Sequence, residues 1–268
     1  MNLTAIYLAA GVSSRYGGKI KGLTKVGPNN ESLIEISMLH AIEAGFNKFV
    51  FIVSDKTHEA FNKKFGEEFN NIPIKYCFQT TPEWREKPYG TAHALNSAKN
   101  LVDEPFMVLN ADDIYGKKTF KKIAQFMGLI EKSHCMPGYK LKNAIPKEGN
   151  HNRGLINVNS DYNLISVKEQ FNISYNDIGD KYTGEELISM NLFAMQPEFL
   201  NYLNEKTKEF IVNTTDTKKE FLLPHVITSY LQEKDIKKTV IPTDDVPIGL
   251  THPGDEIQVK MLISQQNL

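Results

Sequence analysis

The chain has 268 residues, 31 basic and 32 acidic side chains, a formal net charge of -1 and 41% hydrophobic residues. That composition supplies a sizeable core and argues against a nucleic-acid-binding surface, which would show as a basic excess. The apolar run Leu3 to Ala10 is too short to cross a membrane and lacks the basic start of a secretion signal, and the two cysteines, Cys77 and Cys135, have no metal spacing, which fits a reducing, cytoplasmic setting.

Leu3 to Leu8 reads as a buried strand that ends in a loop rich in Gly, Ser and Lys, running from Gly11 to about Asn30. Ser32 and Glu35 have capping-box spacing, Ile34, Met38, Ala41 and Ile42 share one helical face, and Gly45 can close that helix. Phe49 to Val53 is a second continuous apolar strand, so the segment predicts a βαβ unit in a parallel sheet. A helix near Thr57 to Phe65, a strand near Ile74 to Phe78, a helix over Thr91 to Leu101, a strand at Phe106 to Leu109 and a helix over Lys117 to Lys132 continue the alternation.

The second half reads differently. Gly154 to Val158 and Leu164 to Val167 predict a hairpin, Leu187 to Met195 a strand, and Glu198 to Val212 and Lys218 to Glu233 two helices. A strand at Lys238 to Ile241 and a helix from about Asp255 end the chain. The expected fold is a single α/β domain over 1–268, with a doubly wound, Rossmann-like mixed sheet and β-hairpin additions in the second half.

Four places carry chemistry. The loop from Gly11 to Lys21 can turn backbone amides toward phosphate oxygens, with Arg15 as a planar fork and Lys21 as a point charge. Its spacing matches neither the dinucleotide fingerprint nor the P-loop; a plain βα loop with solvated charges is the alternative. Asp112 and Asp113 follow an apolar strand, where one or two carboxylates suit Mg²⁺; a helix cap is the alternative. Gln79 ends a strand, and Gly90 and Thr91 open a helix, so Gly90 could lie flat on a base while Gln79 reads its edge; a plain loop with an N-cap at Thr91 is the alternative. His93, in the first turn of that helix, reads as packed rather than catalytic. Trp84 lies in a polar loop, Pro82 to Pro88, that could act as a lid. Glu169, after the hairpin, could accept sugar hydroxyls.

The order of these segments resembles the nucleoside-diphosphate-sugar pyrophosphorylases, or sugar-1-phosphate nucleotidyltransferases. The resemblance rests on Leu8-Ala9-Ala10-Gly11-Val12-Ser13-Ser14-Arg15 with Lys21, Pro88-Tyr89-Gly90-Thr91-Ala92-His93-Ala94, Asn110 to Gly116, Ser189-Met190-Asn191 and Glu220 to Pro224, and it spans nearly the whole chain. It implies a GT-A-like nucleotidyltransferase fold, with 1–135 as nucleotide-binding half and 136–268 as acceptor-binding half. It implies transfer of NMP from an NTP to a sugar 1-phosphate, giving NDP-sugar and pyrophosphate with Mg²⁺ as cofactor. Ala10, Gly11, Ser13 and Ser14 would line the nucleotide, and Gln79, Gly90 and Thr91 the base. Arg15 and Lys21 would be catalytic, with Lys19 and Lys25 as nearby rivals of Lys21. Asp112 would hold the metal, with Asp255 as the second carboxylate, and Gly154, Glu169 and Asn191 would face the acceptor. Neither nucleic acid nor membrane is an expected partner; a homo-oligomer is compatible with the sequence. Two other readings remain open: a GT-A-type glycosyltransferase that consumes an NDP-sugar, and a non-catalytic nucleotide-binding regulator.

Overall fold

The computed structural model describes residues 2–12, 18–129, 133–250 and 254–265. They form two compact units: Met1–Thr24, Phe46–Asp112 and Met195–Ile236 make the first, and Lys25–Gly45, Asp113–Ala194 and Lys237–Leu268 the second.

The first unit is built on strands β1 (Thr4–Leu8), β2 (Lys48–Val53), β3 (Glu68–Phe69), β4 (Ile72–Phe78) and β5 (Phe106–Asn110). Strands β4, β2, β1 and β5 lie side by side in that order and all parallel, and β3 folds back antiparallel on β4. The continuous apolar runs explain this arrangement. Ile6, Tyr7, Phe49 to Val53 and Met107 to Leu109 are buried, as expected of parallel strands covered on both faces. Leu8 is in register with both Ile52 and Asn110, so the segments leaving β1 and β5 emerge beside each other at the carboxyl edge. Helices α2 (His58–Phe65), α3 (Thr91–Asn96), α6 (Glu198–Val212) and α7 (Leu223–Glu233) belong to this unit, with α3 packed on α6 and α7.

Two predicted helices are shorter than expected. The span from Thr91 to Leu101 is α3 followed by a separate 3-10 turn at Lys99–Leu101, the break falling at the weak helix formers Asn96 and Ser97. The helix expected from Lys218 begins only at Leu223, with Pro224 in its first turn; before it, Thr217 and Phe221 make backbone bonds with Lys87, Tyr89 and Ala92, and the Arg85 side chain holds the Asp216 and Lys219 carbonyls.

The second unit holds α1 (Leu33–Ala44), α4 (Lys117–Leu129), α5 (Leu141–Ala144) and α8 (Asp255–Gln265). Glu35 accepts from the Ser32 N–H at 2.7 Å and the Ser32 hydroxyl at 2.6 Å, as the spacing predicts, and Gly45 closes α1. The Thr119 N–H, in the first turn of α4, donates to Asp245 Oδ2 at 2.7 Å, so a residue 126 positions away satisfies that orphan donor. The predicted hairpin is longer than expected: β8 (His151–Val158) and β9 (Leu164–Ile173) pair across a turn held by Asn159 Oδ1, which accepts from the N–H groups of Asp161 and Asn163.

The strand β7 (His134–Lys140) is not predicted, because Pro137 and Gly138 punctuate it, yet it joins three neighbours. It pairs antiparallel with β10 (Leu187–Ser189) and β11 (Phe193–Met195), and parallel with β12 (Lys238–Thr243). Strand β8 then adds to β10. The single strand expected over Leu187 to Met195 is broken into β10 and β11, with Asn191 in the left-handed region at φ 56°. The short strands β6 (Asp113–Ile114) and β13 (Ile248–Gly249) pair antiparallel. Among the described residues no helix is long and apolar enough to cross a membrane.

One buried charge in this unit leads to a stability prediction. Lys238 on β12 is 1% exposed, its Nζ has no hydrogen bond, and it lies 4.2 Å from the Phe193 ring centroid. Burial pushes its pKa down to about 7. Between that value and the ordinary lysine value the unfolded chain holds a proton that the folded chain has released, so stability rises with pH through this window. Lys238→Met should raise stability at pH 7 by about 1–4 kcal/mol, the range seen when buried charges give way to apolar side chains, and should flatten the pH dependence. Thermal unfolding of both proteins between pH 6.5 and 10 checks this; a lower melting temperature for the variant at pH 7 would contradict it.

Candidate active site

The carboxyl edge of β1 and β5 carries a cavity of about 270 Å³ lined by Leu8, Ala9, Gly11, Lys21, Gly22 and Asp112, among others. Ligand sites in open α/β sheets fall at this edge. A 3-10 turn, Lys21–Leu23, brings the lysine there. The turn lies against the end of β5 because Gly22 has no side chain: a Cβ on Gly22 would sit 2.5 Å from the Ala111 carbonyl oxygen. Sequence reasoning overlooked Gly22, whose signal is only its place beside Lys21. Gly22→Ala should displace the Ala111–Asp112 corner and cost about 1–3 kcal/mol of stability, as overpacking does. Chemical unfolding would show it; a variant as stable as the parent would mean that the turn does not depend on this close approach.

Burial pushes the Asp112 carboxyl above the ordinary carboxylate range, while the Lys21 ammonium and the Asp112 backbone N–H pull it back. The two side chains therefore form a desolvated acid facing a cation. Lys19 and Lys25 are exposed, and neither lines the cavity. Ala10 is fixed at the same edge, its carbonyl accepting from the Ser54 hydroxyl at 2.9 Å. Ser13, Ser14 and Arg15 lie outside the described residues.

Gln79, Gly90 and Thr91 come together in the first unit. Gln79 Nε2 donates to the Gly90 carbonyl at 3.0 Å. Gly90, rather than Thr91, is the N-cap of α3, and Thr91 Oγ1 instead accepts from the Leu223 N–H at 3.0 Å. Gly90 has φ 102°, and a Cβ there would lie 2.7 Å from the Phe221 carbonyl oxygen. A left-handed backbone and a strand of main chain against it both demand glycine. The Phe221 N–H donates to the Tyr89 carbonyl at 2.6 Å, and the Phe221 carbonyl accepts from the Ala92 N–H at 3.0 Å, so Phe221 straps both sides of Gly90.

Arg85, another residue the sequence did not single out, pins the loop read as a lid. It is 6% exposed and donates to the carbonyls of Lys87, Asp216 and Lys219 at 2.7 to 2.9 Å, with its guanidinium 4.1 Å from the Tyr89 ring centroid. Trp84 in the same loop stays half exposed. His93 packs against Tyr89 with ring centroids 5.0 Å apart, and burial, then Arg85, lowers its pKa, as suits a packed histidine.

In the second unit, Gly154 on β8 pairs with Glu169 on β9 and with Ser189 on β10. A Cβ on Gly154 would meet Val167 Cγ1 at 2.7 Å and Glu169 Oε2 at 3.7 Å. The Asn191 N–H donates to Ser189 Oγ at 3.4 Å, so Gly154, Glu169 and Asn191 share one neighbourhood. Asp255 begins α8, where a first-turn carboxylate complements the helix terminus. Among the described residues no group of three or more His, Cys, Asp or Glu side chains could enclose a metal ion.

Fold and site together define an α/β protein with a ligand cavity at the carboxyl ends of parallel strands. The family described as nucleotidyl transferase matches residues 19–221, and the chain belongs to that family. The chain is 29% identical over 117 residues to the UTP–glucose-1-phosphate uridylyltransferase AglF of Haloferax volcanii, covering 42% of this chain and 44% of that protein. It is 28% identical over 126 residues to the bifunctional IPC transferase and DIPP synthase of Thermococcus kodakarensis, covering 47% of this chain and 27% of that protein. The matches thus span less than half the length of these curated relatives. Among solved structures, a UDP-glucose pyrophosphorylase complexed with UDP-glucose is similar at a TM-score of 0.69 and 13% identity, over 99% of this chain and 100% of that one. The inositol-1-phosphate CTP transferase of T. maritima is similar at a TM-score of 0.66 and 16% identity, over 98% and 96%. At these identities the likeness shows the fold.

Proposed function

We propose that the chain transfers NMP from an NTP to a sugar 1-phosphate or a related phosphorylated small molecule, releasing pyrophosphate. The observation that carries this reading is the cavity that joins Gly11, Lys21 and Asp112 at the carboxyl edge of the parallel strands. The acceptor's phosphate oxygen attacks the α-phosphorus in line. No general base is needed, because the second ionisation of a phosphate monoester lies near pH 6. The protein's task is positioning and charge neutralisation. Lys21 orients the phosphates at the reacting centre. Arg15 binds the departing pyrophosphate, Gly11 and Ala10 with Ser13 and Ser14 line the nucleotide, and Gln79, Gly90 and Thr91 hold the base. Gly154, Glu169 and Asn191 hold the acceptor.

The donor chemistry fits Mg²⁺, since a desolvated carboxylate beside phosphate oxygens and water is the setting this ion prefers. Asp112 would hold the ion, which when bound supplies positive charge to the phosphates. The test is a matrix of four NTPs against a panel of sugar 1-phosphates, read by pyrophosphate release with Mg²⁺ and again after chelation. One preferred pair, silent after chelation, is expected. Transfer of sugar from an NDP-sugar with no pyrophosphate from any pair would overturn the reading.

A further inference from the structure

Residues 85–90 and 216–221, both in the first unit, are neither helix nor strand, yet they lie side by side. Their main chains meet where the Lys87 N–H donates to the Thr217 carbonyl at 3.3 Å and the Phe221 N–H to the Tyr89 carbonyl at 2.6 Å. One side chain takes up further carbonyls of both segments. Buried Arg85 donates through Nη1 to Asp216 at 2.8 Å, through Nη2 to Lys219 at 2.7 Å and through Nε to Lys87 at 2.9 Å. Its Cζ lies 4.1 Å from the centre of the Tyr89 ring. A planar, permanently charged fork can hold carbonyls on two chains at once, whereas a lysine presents a single nitrogen. Arg85 therefore cross-links the two segments. The cross-link bears on Gly90, because the strapping residue Phe221 lies two positions after Lys219. Gln79 is anchored differently: its N–H donates to the Val53 carbonyl at 2.8 Å, so the sheet fixes it. The contact between the two, Gln79 Nε2 to the Gly90 carbonyl, joins a residue held by the sheet to one held by the strap.

We propose that Arg85 is a positioning residue for base selection: by holding segment 216–221 against Tyr89 it sets Gly90 relative to Gln79. This rests on the base-holding role proposed above for Gln79 and Gly90. Arg85 acts through the strap and touches no substrate. No residue of either segment lines the cavity of Gly11, Lys21 and Asp112, so loosening the strap leaves the phosphate end of the site in place. Discrimination among bases should then fall while affinity for phosphates stays. Hydrogen-bonded recognition can separate related ligands by about 10⁴–10⁵, and a misplacement of about 1 Å can cost about 10²-fold, so the expected loss of selectivity is tenfold or more.

The four NTPs and inorganic tripolyphosphate, which has phosphates but no base, are titrated by calorimetry with Mg²⁺ into the parent chain, Arg85→Lys and Arg85→Gln. Lys218→Ala is the comparison, since it breaks only an exposed ion pair with Glu86 between the same segments. The parent should prefer one NTP. Both Arg85 variants should lower that preference about tenfold or more while binding tripolyphosphate as the parent does, and Lys218→Ala should keep the parental preference. The sequence has one tryptophan, Trp84, 5.4 Å from the Arg85 Cζ, and its fluorescence should become easier to quench with acrylamide in the Arg85 variants. An unchanged preference in a folded Arg85→Lys or Arg85→Gln overturns the proposal. So does an equal loss of affinity for NTP and tripolyphosphate, which would mean general damage to the fold. If Arg85→Gln does not fold, Arg85→Lys decides; failure of both to fold assigns Arg85 to stability alone. A parent that binds all four NTPs equally removes the base-holding pair and this role with it. A parent that selects one NTP but releases no pyrophosphate with any acceptor leaves the role of Arg85 standing while removing the proposed reaction.

Discussion

Lys21→Ala should lower kcat by roughly 10²–10³, about 2.7–4 kcal/mol, by analogy with the loss of a single donor that stabilises transition-state charge. The side chain lines the cavity beside Asp112, and its ammonium is near enough to counter part of the effect of burial on that carboxyl. Phosphoryl-type transfer redistributes negative charge over the oxygens around the reacting phosphorus and onto the leaving group, so a cation held there stabilises the transition state more than the bound substrate. The loss should therefore fall on kcat more than on KM. Lys19→Ala and Lys25→Ala serve as comparisons, since both residues are exposed and outside the cavity lining, and each should retain most of the parent rate. Steady-state kinetics on the three variants decides among the lysines. Parental turnover in a folded Lys21→Ala, or a larger loss in Lys25→Ala, would move the catalytic role elsewhere.

Asp112→Asn should cost a similar factor in turnover while leaving stability equal to the parent or higher. Because burial raises the folded-state pKa of this acid above its unfolded value, the folded chain holds a proton over a window in which the unfolded chain has released it. Stability therefore falls as pH rises through that window, and an amide that never ionises escapes the penalty. A side chain that makes the fold less stable and the reaction faster is what a site residue looks like, because function is often maintained at the expense of stability. The pair of measurements is kcat with saturating Mg²⁺ and the melting temperature at pH 7. A clear fall in melting temperature without loss of rate would assign Asp112 to the fold instead of the reaction.

Much of the first unit was legible in the sequence because parallel strands write themselves as unbroken apolar runs. Phe49 to Val53 and Phe106 to Leu109 could hardly be anything but buried, and the Ser32–Glu35 pair marks its helix start locally. Strand β7 was illegible because Pro137 and Gly138 look like a turn; it forms because β10, β11 and β12 supply pairing on both sides. Arg85 was passed over for a similar reason. A lone arginine in a polar loop has no local signature, and its three carbonyl partners include residues more than a hundred positions away.

The sequence by itself carried the short runs, such as Leu8 to Arg15 and Asn110 to Gly116, whose resemblance points to the family in which the chain belongs. These are short-range patterns, fixed by residues adjacent along the chain. The family resemblance favoured Lys21 over Lys19 and Lys25, but only the tertiary structure gives a physical reason, since Lys21 lines the cavity with Asp112 and the other two do not. The 3-10 turn at Lys21–Leu23 fits against the Ala111 carbonyl because Gly22 leaves room for it. Likewise, Gly90 reads in sequence as a place for a base to lie flat, while in the folded chain its Cβ direction is filled by the Phe221 backbone. The space around a residue is set by segments that the fold brings back from far along the chain, and a local pattern carries no record of them.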